Sequence, residues 1–216
     1  MSFQVITDHP VASESPDHLC PWGTARDNSR NHLFNARLFQ LLQKDSSILD
    51  LGCAGGGFIK DCVDAGYLAV GIEGSDYSKK EKRAEWATIP GNLFTADITH
   101  PFQVQRDGKP FLFDIVTSWE VMEHIKTIDI PRVLYNVRIH MKPRSMFIVC
   151  ISTERDAHDN FEYHPTIHQE DWWDSIFLEN GFEPFPGMVE HFHGEFIRSR
   201  KNGAPYSFNE VYRLIP

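Results

Sequence analysis

The stretch that decides the fold reads Ile48-Leu49-Asp50-Leu51-Gly52-Cys53-Ala54-Gly55-Gly56-Gly57-Phe58. It starts as an apolar segment, ends that segment in an acid, and then opens into a glycine-rich turn. Glycine has no Cβ, so it lets the backbone turn sharply and lie against a bound ligand. The residues after the turn, 58–65, can form a helix. The order of strand, glycine turn and helix predicts the first unit of a nucleotide-binding α/β fold.

The acid at the strand end indicates which kind of ligand this turn receives. A pyrophosphate site uses bare backbone amides at the start of a helix, and a fixed carboxylate beside them would repel phosphate. Asp50 suits a cationic ligand instead. The stretch therefore argues against a nicotinamide dinucleotide and against a reductase.

Further apolar runs lead into acids and aromatic residues later in the chain. They are Ala69-Val70-Gly71-Ile72-Glu73-Gly74-Ser75, Thr95-Ala96-Asp97-Ile98, Phe113-Asp114-Ile115-Val116-Thr117-Ser118-Trp119-Glu120-Val121-Met122-Glu123-His124-Ile125 and Met141-Lys142-Pro143-Arg144-Ser145-Met146-Phe147-Ile148-Val149. In order and spacing these segments and the glycine turn resemble the motifs of class I S-adenosylmethionine-dependent methyltransferases. The segment from Phe113 to Ile125 resembles the fourth-strand motif of the type 11 and ubiquinone-biosynthesis-like branch. One departure is mild, since Ala54 replaces the middle glycine of the family's first motif.

The resemblance implies that the chain binds S-adenosylmethionine and releases S-adenosylhomocysteine. Glu73 would accept hydrogen bonds from the ribose hydroxyls, Asp97 would contact the adenine amine, and Asp50 would orient the amino group. The predicted cofactor-binding residues are Asp50, Gly52, Cys53, Ala54, Gly55, Gly56, Glu73, Gly74, Ser75, Asp97, Ile98 and Trp119.

Several of these residues also have a purely structural interpretation. Glu73 alone could be an ordinary strand-end acid, and Asp97 could cap the turn before Pro101. Trp119 could pack in the core instead of lining the pocket. The register of Glu73 with Asp50 and Asp97 favours binding over these alternatives.

The segment after the fourth strand carries the candidate catalytic chemistry. An oxygen acceptor needs a general base, and histidine is matched to neutral pH, so His124 is the candidate; its alternative is a helix-start residue bonded to backbone. Glu120, Glu123 and His124, with His164 or His168, resemble the divalent-metal site of small-RNA 2′-O-methyltransferases. The same letters occur where the glutamates only brace the helix. The sequence favours this second interpretation, so no metal is predicted.

Apolar, Ile- and Val-rich runs alternate with helix-length segments along the chain. Strands are predicted at 47–52, 69–73, 92–96, 112–118, 145–151 and 208–215, and helices at 28–43, 130–141 and 171–180. The alternation predicts a doubly wound α/β fold with helices on both faces of a parallel sheet. The resemblance implies a Rossmann-like seven-stranded sheet, mostly parallel, with an antiparallel C-terminal strand. Residues 1–27 are predicted as a partly irregular lead-in and 28–216 as a single methyltransferase domain.

Composition limits the remaining choices. The 216 residues, with 41% hydrophobic and 24% charged side chains, suit one globular domain without a membrane span. The four cysteines form no CxxC pair, and residues 1–16 lack the apolar region of a signal peptide, so free thiols and a cytoplasmic location are predicted. A formal charge of −9 argues against a nucleic-acid partner, because such binding depends on Lys and Arg.

The sequence therefore predicts an S-adenosylmethionine-dependent methyltransferase whose acceptor is a small molecule, with oxygen as the accepting atom. One alternative is a metal-dependent RNA 2′-O-methyltransferase, and another is a non-catalytic cofactor-binding partner subunit. The identity of the acceptor and the oligomeric state stay open.

Overall fold

The structure is a computed structural model that describes residues 2–158 and 160–216. Its helices and strands follow one another as β1 (Phe3–Thr7), α1 (Pro16–Leu19), α2 (His32–Leu41), β2 (Ser47–Leu51), α3 (Gly57–Asp64), β3 (Leu68–Glu73), α4 (Tyr77–Lys80), β4 (Leu93–Thr95), β5 (Phe102–Arg106), β6 (Lys109–Pro110), β7 (Phe113–Trp119), α5 (Ile130–His140), β8 (Met141–Ser152), β9 (Ala157–His158), β10 (Phe161–Glu162), α6 (Glu170–Glu179), β11 (Phe182–Pro184), α7 (Met188–Phe192) and β12 (Ser207–Leu214). Short 3₁₀ turns lie at Ala84–Ala87, Met122–His124 and Thr127–Asp129.

The central sheet has seven strands in the order β11-β12-β8-β7-β2-β3-β4. Strands β4, β3, β2, β7 and β8 run parallel to their neighbours, while β12 is antiparallel to β8 and β11 is antiparallel to β12. This confirms the predicted doubly wound, mostly parallel sheet with an antiparallel C-terminal strand. The carboxyl ends of β2, β3, β4 and β7 meet at one edge, because parallel strands all point the same way.

Hydrophobic side chains cover both faces of this sheet. On one face α2, α3 and α7 bury an aromatic group that includes Phe34, Phe58 and Phe192. On the other face α5 and α6 pack Val133 and Trp173 against the strands. No helix in the described part of the chain is long and apolar enough to cross a membrane.

Two element boundaries differ from the prediction by several residues. Helix α2 starts at His32 and not at Asn28, because the side-chain oxygen of Asn31 accepts hydrogen bonds from the N–H groups of Leu33 and Phe34 and caps the helix there. Strand β8 starts four residues before the predicted Ser145, because Met141 already pairs with Phe113 of β7.

The cap of α2 makes a testable prediction. Asn31 is buried, and its amide also donates to the Phe196 carbonyl oxygen at 2.8 Å. We expect Asn31→Ala to lower the free energy of unfolding by about 1–2 kcal/mol, the usual cost of losing an N-cap. Chemical denaturation measures this. Lys44→Ala, an exposed change near the end of the same helix, should be neutral, and an equal loss in both variants would contradict the capping role.

The lead-in begins with a regular strand. Strand β1 pairs antiparallel with β5 over its full length, and β5 pairs with β6, giving a small separate sheet. Phe3 and Val5 pack against the main core, which explains why this end of the chain is held in place. After β1 the chain turns towards the carboxyl edge of the central sheet.

Candidate active site

The glycine turn is shaped by tight packing. Gly52 follows β2 with a φ of +73°, and a Cβ at this position would overlap the side chain of Val121. Its N–H and that of Cys53 donate to the carbonyl oxygen of Ile72 in β3, at 2.8 and 3.1 Å. Ala54, the departure from the family motif, has a φ of +44°, which glycine would adopt with less strain.

Asp50 is the residue before the last one of β2, close to the glycine turn, and it is almost fully buried. Its Oδ1 accepts a hydrogen bond of 2.6 Å from the Thr117 hydroxyl of the neighbouring strand β7. Burial raises the pKa of Asp50 from 3.8 to about 8; the Thr117 bond opposes this shift, and the negative charges of Asp27 and Glu73 add to it. A carboxyl held in this way, beside two other acids, favours a cation in the space around it.

Glu73 connects the end of β3 to the glycine turn. Its Oε2 accepts from the Ala54 N–H at 2.7 Å, and its Oε1 accepts from the Ser75 N–H at 3.0 Å. Burial raises the pKa of Glu73 to about 7 even though both hydrogen bonds favour the charged form. Each oxygen keeps a second lone pair, so the carboxylate can still accept from two further donors.

The hydrogen bonds of Asp97 agree with its structural interpretation as a cap of the turn before Pro101. Its Oδ1 accepts from the N–H and hydroxyl of Thr99 at 2.9 and 2.7 Å, and its Oδ2 lies 3.1 Å from Nδ1 of His100. The backbone N–H of Asp97 donates to the carbonyl oxygen of His9 in the lead-in. A role for Asp97 in adenine binding stays a prediction.

Other predicted site residues lie at the same edge of the sheet. The Ser75 hydroxyl accepts from the N–H of Tyr77 at the start of α4, and the Ile98 carbonyl oxygen accepts from Asn136. Cys53 is buried, and burial raises the pKa of its thiol, which disfavours a nucleophilic role. Trp119 packs edge-to-face on Phe34, with ring centroids 5.1 Å apart, as its core alternative requires.

The lead-in crosses this edge, and the sequence analysis missed it. The Ala12 N–H donates to the Gly74 carbonyl oxygen at 2.9 Å, and the Asp27 carbonyl oxygen accepts from the Gly55 N–H at 3.2 Å. A Cβ on Gly55 would lie 2.8 Å from that same oxygen, so only glycine permits the contact. The Ser15-Pro16-Asp17 sequence was an available signal, because it is a helix-start pattern and Ser15 does cap α1.

Polar groups without partners indicate where a ligand belongs. Among the described residues, Asn28 Oδ1 beside the glycine turn and Ser118 Oγ at the tip of β7 are buried without a hydrogen bond. The Trp119 indole N–H lowers the pKa of Asp50 but makes no hydrogen bond of regular geometry. These groups and the acids fit a ligand with an ammonium or sulfonium and several polar atoms, as S-adenosylmethionine has. The part of the site near Asp97, where adenine is expected, has no such free groups on the backbone of Asp97 and Gly74. There His9 accepts from the N–H of Asp97, and Ala12 donates to the carbonyl oxygen of Gly74.

His124 lies in the 3₁₀ turn after β7. Its Nδ1 is 2.8 Å from Oδ2 of Asp17 in α1. Burial lowers the pKa of His124, but the Asp17 carboxylate outweighs it and raises the pKa to about 9. An imidazole that holds its proton at neutral pH is not suited to act as a general base. The catalytic role of His124 stays a prediction, and its ring faces Tyr163 and His164 from the segment after β8.

The two glutamates between β7 and His124 have different surroundings. Glu120 is tied to Arg198 at 2.8 Å and to the Ser207 hydroxyl at 2.6 Å. Glu123 is fully buried, with one oxygen accepting from the Ser152 N–H at 2.8 Å. Burial raises the pKa of Glu123 to about 8, against the opposing charge of His124. The other candidate histidine, His168, stacks on Trp172 at 3.8 Å.

Comparison with known proteins agrees with this fold. A family model described as a methyltransferase domain matches residues 25–200. No curated protein matches the sequence.

Solved structures with the same fold are distant in sequence. An S-adenosylmethionine-dependent methyltransferase from Clostridium acetobutylicum superposes with a TM-score of 0.63 at 12% identity, over 87% of this chain and 93% of the other. The CcbJ methyltransferase from Streptomyces caelestis gives 0.62 at 14% identity, over 97% and 100%. The 1,6-didemethyltoxoflavin-N1-methyltransferase from Burkholderia thailandensis, solved with S-adenosylhomocysteine, gives 0.58 at 14% identity, over 90% and 79%.

At these identities the structures establish the fold, and the matched domain establishes the family. The chain belongs to the methyltransferase domain family, and the predicted class I, S-adenosylmethionine-dependent type is confirmed.

Proposed function

We propose that the chain transfers the methyl group of S-adenosylmethionine to a small-molecule acceptor, and that the accepting atom is oxygen. The observation that carries the proposal is the pair of buried carboxyls, Asp50 and Glu73, on the glycine turn with Asp27 close by. Burial raises the pKa of both carboxyls and so disfavours their charged forms, and a bound cation would favour those charged forms again. When bound, the cofactor supplies a methyl group on a cationic sulfur, so the protein has mainly to align the partners and exclude water.

Residues after β8 form the acceptor side in this proposal. The Thr166 N–H donates to the Glu123 carbonyl oxygen, and the Thr166 hydroxyl donates to that of Ile125. The Tyr163 hydroxyl donates to the Cys20 carbonyl oxygen at 2.9 Å, which joins this segment to the lead-in. Together the two segments would close the site against water, as transfer from a reactive donor requires.

Cofactor entry would involve the lead-in. The carbonyl oxygen of His9 accepts from the N–H of Asp97, the residue for which the resemblance implies an adenine contact, and the N–H of Ala12 donates to the carbonyl oxygen of Gly74. We propose that residues 9–12 move when the cofactor binds. Such segments are held by few hydrogen bonds, so the cost of opening is small compared with global unfolding.

A small-molecule acceptor is supported by charge. The net charge of −9 disfavours the phosphate contacts that an RNA substrate needs. The Burkholderia structure carries a small-molecule acceptor, 1,6-didemethyltoxoflavin, together with S-adenosylhomocysteine. RNA methylation and a non-catalytic role remain alternatives that one experiment separates. The four cysteines are free thiols in the structure, which supports a reducing location such as the cytoplasm.

A labelled-methyl transfer screen tests this function. The purified chain is incubated with labelled S-adenosylmethionine and, separately, with metabolite extract and total RNA. We expect label in a small molecule, and mass spectrometry of the product then identifies the methylated atom. Label in RNA would replace the proposal by the RNA alternative. Tight cofactor binding without any transfer would favour the non-catalytic subunit.

A further inference from the structure

The feature that the proposed function leaves unexplained is a group of three side chains beside the acceptor side, here named the Glu–His–His cluster: Glu123, His124 and His164. Each offers one candidate metal-binding atom, and these atoms all lie within 4.8 Å of one another. The two imidazole rings have centroids 4.6 Å apart and are inclined at 67°. Glu123 and His164 are buried and His124 is partly buried.

An unpartnered carboxylate oxygen points to a missing ligand. Glu123 is fully buried, and only its Oε1 has a hydrogen bond, from the Ser152 N–H. Its Oε2 is buried and has no hydrogen-bond partner among the residues that the structure describes. A buried carboxylate oxygen is costly to leave unsatisfied, and a cation is the partner that satisfies it best.

Both imidazoles are held as metal-binding histidines usually are. Nδ1 of His124 is bound to the Asp17 carboxylate at 2.8 Å, and Nδ1 of His164 lies 2.6 Å from the Glu154 carbonyl oxygen. Ligating histidines commonly donate one ring N–H to a carboxylate or carbonyl and bind the metal through the other nitrogen. The two Nδ1 contacts therefore leave Nε2 of each ring for a ligand.

The ligand set differs from the one that the sequence offered as an alternative. Glu120 is engaged by Arg198 and by the Ser207 hydroxyl, so it lies outside the cluster. His168 stacks on Trp172 and also lies outside it. What the tertiary structure adds is Asp17, which comes from the lead-in and orients His124.

We propose that the Glu–His–His cluster binds a first-row divalent transition-metal ion through one carboxylate and two imidazoles, with Asp17 as a positioning residue. Mg²⁺ and Ca²⁺ take mostly oxygen ligands, whereas two imidazoles suit Zn²⁺, Fe²⁺ or Mn²⁺. Three protein ligands leave coordination positions open for water or an acceptor oxygen. The second of these roles rests on the proposed function, but metal binding itself does not.

Metal uptake tests the proposal without any methyl donor. The chelator-treated full chain is titrated with Zn²⁺ by calorimetry and with Co²⁺ by visible absorption. We expect saturable, stoichiometric binding and a rise in thermal stability. Glu123→Gln and His164→Gln should lose the Co²⁺ spectrum, while His168→Gln, a matched change in the same segment, should keep it. Asp17→Asn should weaken binding about 10–100-fold, and Asp17→Glu should lose less.

The result can overturn the proposal whatever the methyl-transfer screen gives. Absence of saturable uptake by the wild type would do so. So would equal affinities in His164→Gln and His168→Gln, since binding would then come from surface histidines. Circular dichroism confirms that each variant is folded, and the wild-type titration decides the matter if a variant is not.

Discussion

Replacing Glu73 by alanine is expected to weaken S-adenosylmethionine binding about 100-fold. By resemblance this carboxylate accepts two hydrogen bonds from the ribose hydroxyls, and it already holds the N–H groups of Ala54 and Ser75. Hydrogen bonds to a charged acceptor are worth about 1.5–3 kcal/mol each, and about 1.4 kcal/mol is tenfold in affinity. The substitution therefore removes both ligand contacts and the link that shapes the glycine turn.

Calorimetric titration with S-adenosylmethionine and S-adenosylhomocysteine measures this effect. Glu81→Ala is the control, because Glu81 is an exposed glutamate eight positions further along the chain. Glu73→Gln separates shape from charge, since it keeps the side-chain length and should still lose most of the affinity. A folded Glu73→Ala variant with unchanged affinity would remove Glu73 from the cofactor site.

The second large effect is a gain in stability at the expense of function. We expect Asp50→Asn to unfold at a higher temperature than the wild type at about pH 8 without cofactor, by about 2–4 °C for each kcal/mol. Burial raises the pKa of Asp50 to about 8, so the folded state favours the protonated, neutral form. The amide is neutral at every pH and can still accept from the Thr117 hydroxyl.

The sign of the pH dependence follows from linkage. For Asp50 the free energy of unfolding is highest below the ordinary pKa of 3.8 and falls as the pH rises towards about 8. Glu73, with a pKa raised to about 7, acts in the same direction. The wild type should therefore lose stability between about pH 5 and pH 8, and Asp50→Asn should lose less.

Asp114→Asn is the matched control for this experiment. Burial would raise the pKa of Asp114, but Lys142 and the N–H and hydroxyl of Ser47 outweigh it and lower that pKa. Its charge stabilises the folded state above the ordinary pKa, and that contribution is lost as the pH falls, so removing it should destabilise the protein at pH 8. If the wild type and Asp50→Asn lost stability equally as the pH rises, the ionisation of Asp50 would not be the cause of that loss.

Local patterns were enough to predict most of the fold. Helix α5 begins at Ile130 as predicted and ends one residue early, and β3 and β7 each differ from the prediction by one residue. The two strands are nearly continuous apolar runs that are buried on both faces, and α5 has apolar residues at helical spacing, so both kinds of element leave a clear local pattern. The start of α2 depends on the side-chain cap by Asn31, and the start of β8 depends on pairing with β7. Neither of these contacts can be predicted from the periodicity of apolar residues.

Local sequence patterns predicted only part of the candidate site. Asp50, Glu73 and Asp97 could be found because each acid ends or follows an apolar run, and parallel strands bring such ends together. The contacts of the lead-in with Gly74, Gly55 and Asp97 could not be predicted, because they are backbone hydrogen bonds, and the helix-start pattern at Ser15 does not show where the helix packs.

The sequence by itself determined the fold, the family and the acids around the glycine turn, because these depend on residues close together in the chain or on a regular strand order. Only the tertiary structure decided the partners of the charged groups that follow β7. It placed Asp17 against His124, brought His164 to Glu123 and tied Glu120 to Arg198. Those pairs are separated by 40 or more residues, and pairing at that distance is set by how loops pack over the sheet edge.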